Sequence, residues 1–279
     1  PPDMPDLIGM VIRFRCYPIV VAADIEKAFM MMKLAEQDRD VFRFLLPIDP
    51  EKPITWDNVE VWRYTCPLFG AASSPFHLDC CINKLLDEEK DAVAEELKGN
   101  VFVDNTLLGA NTPDEAKLKA KASETIFKKA NINLRDHISN SPEVSEFMNS
   151  TVPESTSFLG VKWKPKEDVI FVNIPHAKTV KKVTKRTVLS FIASIFDPLG
   201  IVAPVVFAGK VFLHSLWAAQ HKWDTPLNDD ELKKWNKFKE TTEGKQIKLR
   251  RYIFNKNAVR REIYVFVDAS EKGIAAVAY

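Results

Sequence analysis

The chain has 279 residues, 46% of them hydrophobic, and its 39 Lys and Arg against 38 Asp and Glu give a formal net charge of +1. That is enough apolar material for one large or two modest soluble domains, and total charge argues neither for nor against a polyanionic partner. The longest apolar stretch, Leu199 to Trp217, is broken by Pro204 and Lys210, and no signal-like segment opens the chain, so neither a membrane span nor a signal peptide is expected. Cys16, Cys66, Cys80 and Cys81 form neither a CxxC pair nor a disulfide framework. They read as reduced, which places the protein inside the cell, in cytoplasm or nucleus.

Ile19 to Ala23 is a short, nearly continuous apolar run that reads as a strand buried on both faces and delivers Asp24 at its end. Glu26 to Met32 is helix-like. Phe42 to Leu46 and Val59 to Tyr64 read as a hairpin with a long, proline-marked connection. Ser74-Pro75 reads as an N-cap with proline at the first helical position, followed by Leu78, Cys81, Ile82, Leu85 and Leu86 at helical spacing. Val101 to Val103 and Thr106 to Leu108, joined through Asp104-Asn105, read as a tight hairpin with the aspartate at its tip. After Thr112-Pro113-Asp114-Glu115 comes a helix over Ala116 to Ala130, with Leu118, Ala122 and Phe127 on one side. Tyr264 to Asp268 reads as a last strand. The class is α+β.

Charge is unevenly placed. Val169 to Phe196 contains no acid but carries Lys178, Lys181, Lys182, Lys185 and Arg186. Gly244 to Arg261 is also free of acids and holds Lys245, Lys248, Arg250, Arg251, Lys256, Arg260 and Arg261. Both are candidate phosphate-facing surfaces, and a solvated basic face has the same composition. Asp24 and Asp104, each at a strand end or turn, could meet at one edge of one sheet, where two hard-oxygen ligands suit a divalent ion. Caps and turn formers would look the same.

The run Ala23-Asp24-Ile25-Glu26-Lys27-Ala28-Phe29 resembles the first palm motif of reverse transcriptases, and Phe69-Gly70-Ala71-Ala72-Ser73-Ser74-Pro75-Phe76 resembles the second. Phe102-Val103-Asp104-Asn105 stands in the place of the aromatic-x-Asp-Asp box. Asn131 to Asn140 and Phe158-Leu159-Gly160-Val161-Lys162-Trp163 are similar to the next two motifs. Phe196 to Pro204 resembles the thumb signature of BEL/Pao retrotransposons, and Phe266 to Gly273 resembles the opening of a ribonuclease H domain.

The resemblance implies a polymerase palm, an antiparallel ferredoxin- or RRM-like sheet with helices on one face, with partial fingers over residues 1–140. A motif-E hairpin over 141–175, a basic thumb and connection over 176–261 and the first strand of a ribonuclease H-like domain over 262–279 would follow. It implies RNA-directed DNA synthesis on an RNA or DNA template-primer from deoxynucleoside triphosphates. Two ions, Mg²⁺ or Mn²⁺, would be held by Asp24, Asp104 and the Ile25 carbonyl, with Asn105 beside them. Phe29 would be the steric gate against a ribose 2′-hydroxyl, or a core Phe. Gly70 and Ser74 would approach the nucleotide, although Gly70 also reads as a plain turn glycine. Phe158, Leu159 and Gly160 would grip the primer, or form a simple β-turn. Lys178, Lys181, Lys182, Lys185 and Arg186 would meet nucleic acid. Protease, ribonuclease H and integrase domains of a common polyprotein are implied partners.

Three departures point to impaired activity. Asn105 replaces the second Asp of the box. At about 4 Å and an effective dielectric of about 20, one unit of charge against a dication is worth several kcal/mol before solvation offsets it. Asp136 stands where relatives place a lysine. The chain also opens close to the first motif and closes soon after Asp268, which reads as cuts through a longer polyprotein, without the basic fingers residues and without ribonuclease H activity. The alternative is a catalytically inactive, nucleic-acid-binding remnant or domesticated fragment.

Overall fold

A computed structural model describes residues 5–254, 258 and 260–279. The chain divides into two compact units, one closing at Pro153 and the other opening at Glu154.

The first unit opens with helix α1 (Leu7–Cys16), where the Asp6 carboxylate accepts from the Ile8 and Gly9 N–H groups and Arg13 and Arg15 sit in the last turn. Strand β1 (Ile19–Ile25) follows, then the pair β2 (Arg43–Pro47) and β3 (Val59–Arg63). Helices α2 (Ser74–Glu88) and α3 (Ala92–Lys98) lead to β4 (Val101–Phe102) and β5 (Asn105–Ala110). Helix α4 (Pro113–Lys129), β6 (Leu134–Ser139) and α5 (Pro142–Phe147) complete the unit. The main sheet has the order β4-β5-β1-β6 and is antiparallel throughout.

Register separates its two faces. Val21, Ala23 and Ile25 of β1 join Leu108 and Ala110 of β5 in one core with Leu78, Ile82 and Leu86 of α2, Leu97 of α3, Phe127 of α4 and Val144 of α5. Each fully buried large aliphatic or aromatic side chain contributes about 1.5–3 kcal/mol. The alternate residues, Asp24 among them, point to the opposite face. Tyr17, just beyond α1, covers part of that face, because a Cβ on Gly109 would collide with its ring. Helices α2, α3, α4 and α5 therefore cover one face of the sheet, as the sequence leads one to expect of a palm, with Tyr17 on the other.

Several local expectations shift. The helix-like Glu26 to Met32 is a 3-10 turn over Ala28–Met31, entered through Lys27 at φ +52°. Ser73, not Ser74, is the residue before α2; Ser74 is already helical, and its buried hydroxyl donates to the Leu68 carbonyl at 2.7 Å. On α4 the buried side is Ala116, Ala120, Ser123, Ile126 and Phe127, whereas Leu118 is exposed. Small residues there let the helix approach the sheet closely.

The second unit contains the antiparallel sheet β10-β9-β8-β7, formed by β7 (Thr156–Phe158), β8 (Val161–Lys164), β9 (Val169–Asn173) and β10 (Gln246–Arg250). Helices α6 (Lys185–Ala193), α7 (Ala203–Ala218) and α8 (Asp229–Thr242) pack around Val188, Phe191, Leu216 and Trp235. The hairpin of β11 (Val265–Ser270) and β12 (Gly273–Ala278) comes last, so the expected terminal strand has a partner. Among the described residues no helix is long and apolar enough to cross a membrane.

Candidate active site

Strand β1 is the middle of the site. Asn140 fixes its start, accepting from Val20 N–H at 3.0 Å and donating to the Pro18 carbonyl at 2.8 Å. At its far end Ile25 N–H donates to the Asp104 carbonyl at 2.7 Å, and the buried Thr106 hydroxyl donates to the Ala23 carbonyl at 3.1 Å. These bonds tie the turn before β5 to the end of β1. Asp24 and Asp104 thus lie on neighbouring chain segments at one end of one sheet.

The turn itself is Val103-Asp104, one residue earlier than the composition suggests, since Phe102 pairs with Asn105. Val103 holds φ +56°, a left-handed conformation that a β-branched residue rarely adopts. Such strain persists only where the surroundings impose it, and it gathers at functional sites. The Asp104 carboxyl is held above its ordinary range, first by burial and further by the negative charge of Asp24. Asn105 donates to Asp104 Oδ1 at 2.9 Å.

In register, Asp24 pairs with Asn105 on one side and with Arg135 on the other, so the three form a row across β5, β1 and β6. Arg135 Nε donates to Asp24 Oδ2 at 3.0 Å. Sequence reasoning missed this residue, because the pairing passes through an irregularity after Ala22 and Asp136 holds φ +51°. The donor set, two hard carboxylates whose mutual repulsion a cation would relieve, fits a divalent ion held through few protein ligands. Among the described residues no cluster of three or more His, Cys, Asp or Glu could hold a metal.

Phe29 belongs to the core and is 5% exposed, and Phe69 stands edge-on to it with centroids 4.9 Å apart. The ring open to solvent is Phe69, at 69%. Gly70 holds φ +86° with open space where a Cβ would stand, so its need for glycine is conformational. Ser74 is closed off by Leu68, as described, which removes its side chain from any nucleotide contact.

In the second unit Phe158 is buried, and Leu159 and Gly160, at φ +46° and +84°, form a two-residue turn of the doubly left-handed kind between β7 and β8. A Cβ on Gly160 would reach 2.8 Å from the Phe196 ring. Lys178, Lys181 and Lys182 are exposed. Lys185 is not: it is 4% exposed, hydrogen-bonded to the His221 carbonyl, with the Trp217 ring 3.8 Å from its ammonium. That cation–π pocket corrects the expectation that Lys185 faces phosphate. Arg186 is exposed but makes a double hydrogen bond to Asp224, at 2.8 and 2.9 Å. Arg251, in the second basic run, is fully buried against Asp168 at 2.6 and 3.0 Å and is likewise removed from the surface; Lys256 lies outside the described residues. Asp268 is exposed on β11 opposite Ala275.

Residues 12–162 match the family model described as reverse transcriptase (RNA-dependent DNA polymerase), and residues 184–279 match that of the Pao retrotransposon-like RNaseH-like domain. No curated protein matches the chain. Among solved structures it is similar to a foamy viral protease-reverse transcriptase in complex with RNA/DNA hybrid, with a TM-score of 0.55 and 11% identity. That match covers 99% of this chain and 35% of the foamy viral chain, so this chain spans about a third of its length.

Proposed function

This chain belongs to the reverse transcriptase (RNA-dependent DNA polymerase) family, and on that premise we propose that it carries the nucleotidyl-transfer palm of a Pao-type retroelement polymerase. The reaction is attack of a primer 3′-hydroxyl on the α-phosphate of a deoxynucleoside triphosphate, with pyrophosphate leaving. The observation that carries this reading is the meeting of Asp24 and Asp104 at one end of a single antiparallel sheet, beside a strained turn.

Asp24 and Asp104, with the Ile25 carbonyl, are the candidate ligands for two divalent ions, Mg²⁺ or Mn²⁺. When bound, such ions favour the ionised 3′-hydroxyl and neutralise the departing pyrophosphate. Asn105 supplies an oxygen without charge at the third position, so ions are held more weakly and the rate is reduced. Phe69, backed edge-on by the buried Phe29, is the exposed ring proposed to exclude a ribose 2′-hydroxyl, and Gly70 leaves the backbone bare for the nucleotide. The Leu159-Gly160 turn is proposed to seat the primer end. Lys178, Lys181 and Lys182 are proposed to meet backbone phosphates. Protease, ribonuclease H and integrase domains are the proposed polyprotein partners.

A primer ended by a dideoxynucleotide tests nucleotide selection without chemistry. With Mg²⁺, the next complementary deoxynucleoside triphosphate should slow dissociation of a labelled RNA/DNA template-primer in a competitor chase, whereas a mismatched one should not. Equal dissociation with both would remove the polymerase reading. The second reading, nucleic-acid binding without catalysis, is favoured by the N–H donors already placed on both carboxylates. It expects binding that is indifferent to the triphosphate.

A further inference from the structure

The two carboxylates of the site are each engaged by a donor of the same chain, and the two donors differ in kind. Asn105 contributes a neutral amide to Asp104, whereas Arg135 places a full positive charge on Asp24, 3.0 Å from Nε to Oδ2. The contact is built into the sheet, because Asp24 and Arg135 are directly paired residues of β1 and β6 and share one face. It is also accessible: the two side chains are 30% and 50% exposed, so a hydrated cation can reach the pair from solvent. A second carboxylate stands beside the first. Asp136, turned by its left-handed backbone, lies 3.5 Å from the same Nε.

Resting on the cation-site reading above, we propose that Arg135 is a built-in counter-ion that occupies Asp24 in place of a divalent cation and must release it, moving onto Asp136, before the cation binds. A guanidinium and a divalent ion cannot share the oxygen that faces them both, since each demands the same lone pairs and the two repel. Binding of the ion therefore proceeds against the loss of one charge-assisted hydrogen bond. Asp136 lowers that cost by giving the released guanidinium a carboxylate within reach. Asp136 thus acquires a role as the alternate seat of the arginine. Arg135 is a positioning residue in this scheme, acting on Asp24 without touching substrate.

The test is cation affinity of the full chain, read from the loss of the free Mn²⁺ electron paramagnetic resonance signal. Parent, Arg135→Gln and Asp24→Asn are compared. Arg135→Gln should bind Mn²⁺ up to about fivefold more tightly than the parent, the equilibrium weight of one solvent-exposed ion pair, and Asp24→Asn should lose the site. In the parent, the ¹⁵N resonance of Arg135 Nε should move toward the position of an unpaired arginine as Mg²⁺ is added. That readout needs no variant and stands even where Arg135→Gln fails to fold. Equal or weaker Mn²⁺ binding by a folded Arg135→Gln, or an Nε signal unmoved while the ion binds, would overturn the counter-ion role and leave the cation site intact. Absence of binding in both parent and Arg135→Gln would remove the cation site and this inference together.

Discussion

Asp24 and Asp104 show how far single residues are governed by what surrounds them. Asp24 is half-buried and paired with a guanidinium, while Asp104 is pressed into the turn and held above the usual carboxylate range by burial and by its neighbour's charge. His137, two residues beyond Arg135, is the opposite case. It is buried, its Nε2 has no hydrogen-bond partner, and burial depresses its pKa even though the charges of Glu124 and Asp136 pull upward. The unfolded chain therefore takes up this proton first as pH falls through the ordinary value of 6.5. Stability is present in full above that value and is lost as pH drops toward the depressed folded value. His137→Phe keeps a ring without a titrating nitrogen. It should flatten the fall in urea midpoint between pH 7 and 5; a fall equal to the parent's would assign the pH dependence elsewhere.

At the scale of elements, β5 is the strand on which the site depends, because it carries Asn105 at one end and Gly109 under the Tyr17 ring at the other. Gly109→Ala forces that ring or the strand to move and should cost about 1–3 kcal/mol in urea unfolding, as overpacking does. An unchanged midpoint would show that Tyr17 yields freely. The strand ends bearing Asp24 and Asp104, the hairpin β2-β3 and the helix after Ser74 were legible from apolar runs and turn residues alone. The tip of the β4-β5 turn moved because Val103 takes a backbone conformation that no propensity assigns to valine. Lys185 and Arg251 left the basic surface because partners distant in sequence, Trp217 and Asp168, bury them. Arg135 escaped notice because an irregular pairing at Asp136 hides which β1 residue it opposes. Phe69, though quoted in a motif, gave no sign that its ring rather than that of Phe29 meets solvent.

For the whole molecule, the near-neutral net charge says little, and the exposed lysines of the second unit say more. If Lys178, Lys181 and Lys182 each neutralise a phosphate, changing all three to Gln should weaken template-primer binding. It should also reduce the slope of log affinity against log salt by about 0.7–0.9 per lost contact. Fluorescence anisotropy across a range of KCl concentrations reads both quantities, and an unaltered slope would mean that these lysines are merely solvated. Nucleotidyl transfer by the Asp24 and Asp104 pair is the proposed activity. Its most direct test is extension of a DNA primer on an RNA template, in Mg²⁺ and separately in Mn²⁺, by the parent, Asp24→Asn and Asn105→Asp. The parent should extend slowly, Asp24→Asn not at all and Asn105→Asp faster than the parent. No extension by any of the three in either ion would contradict it and leave nucleic-acid binding as the function of the chain.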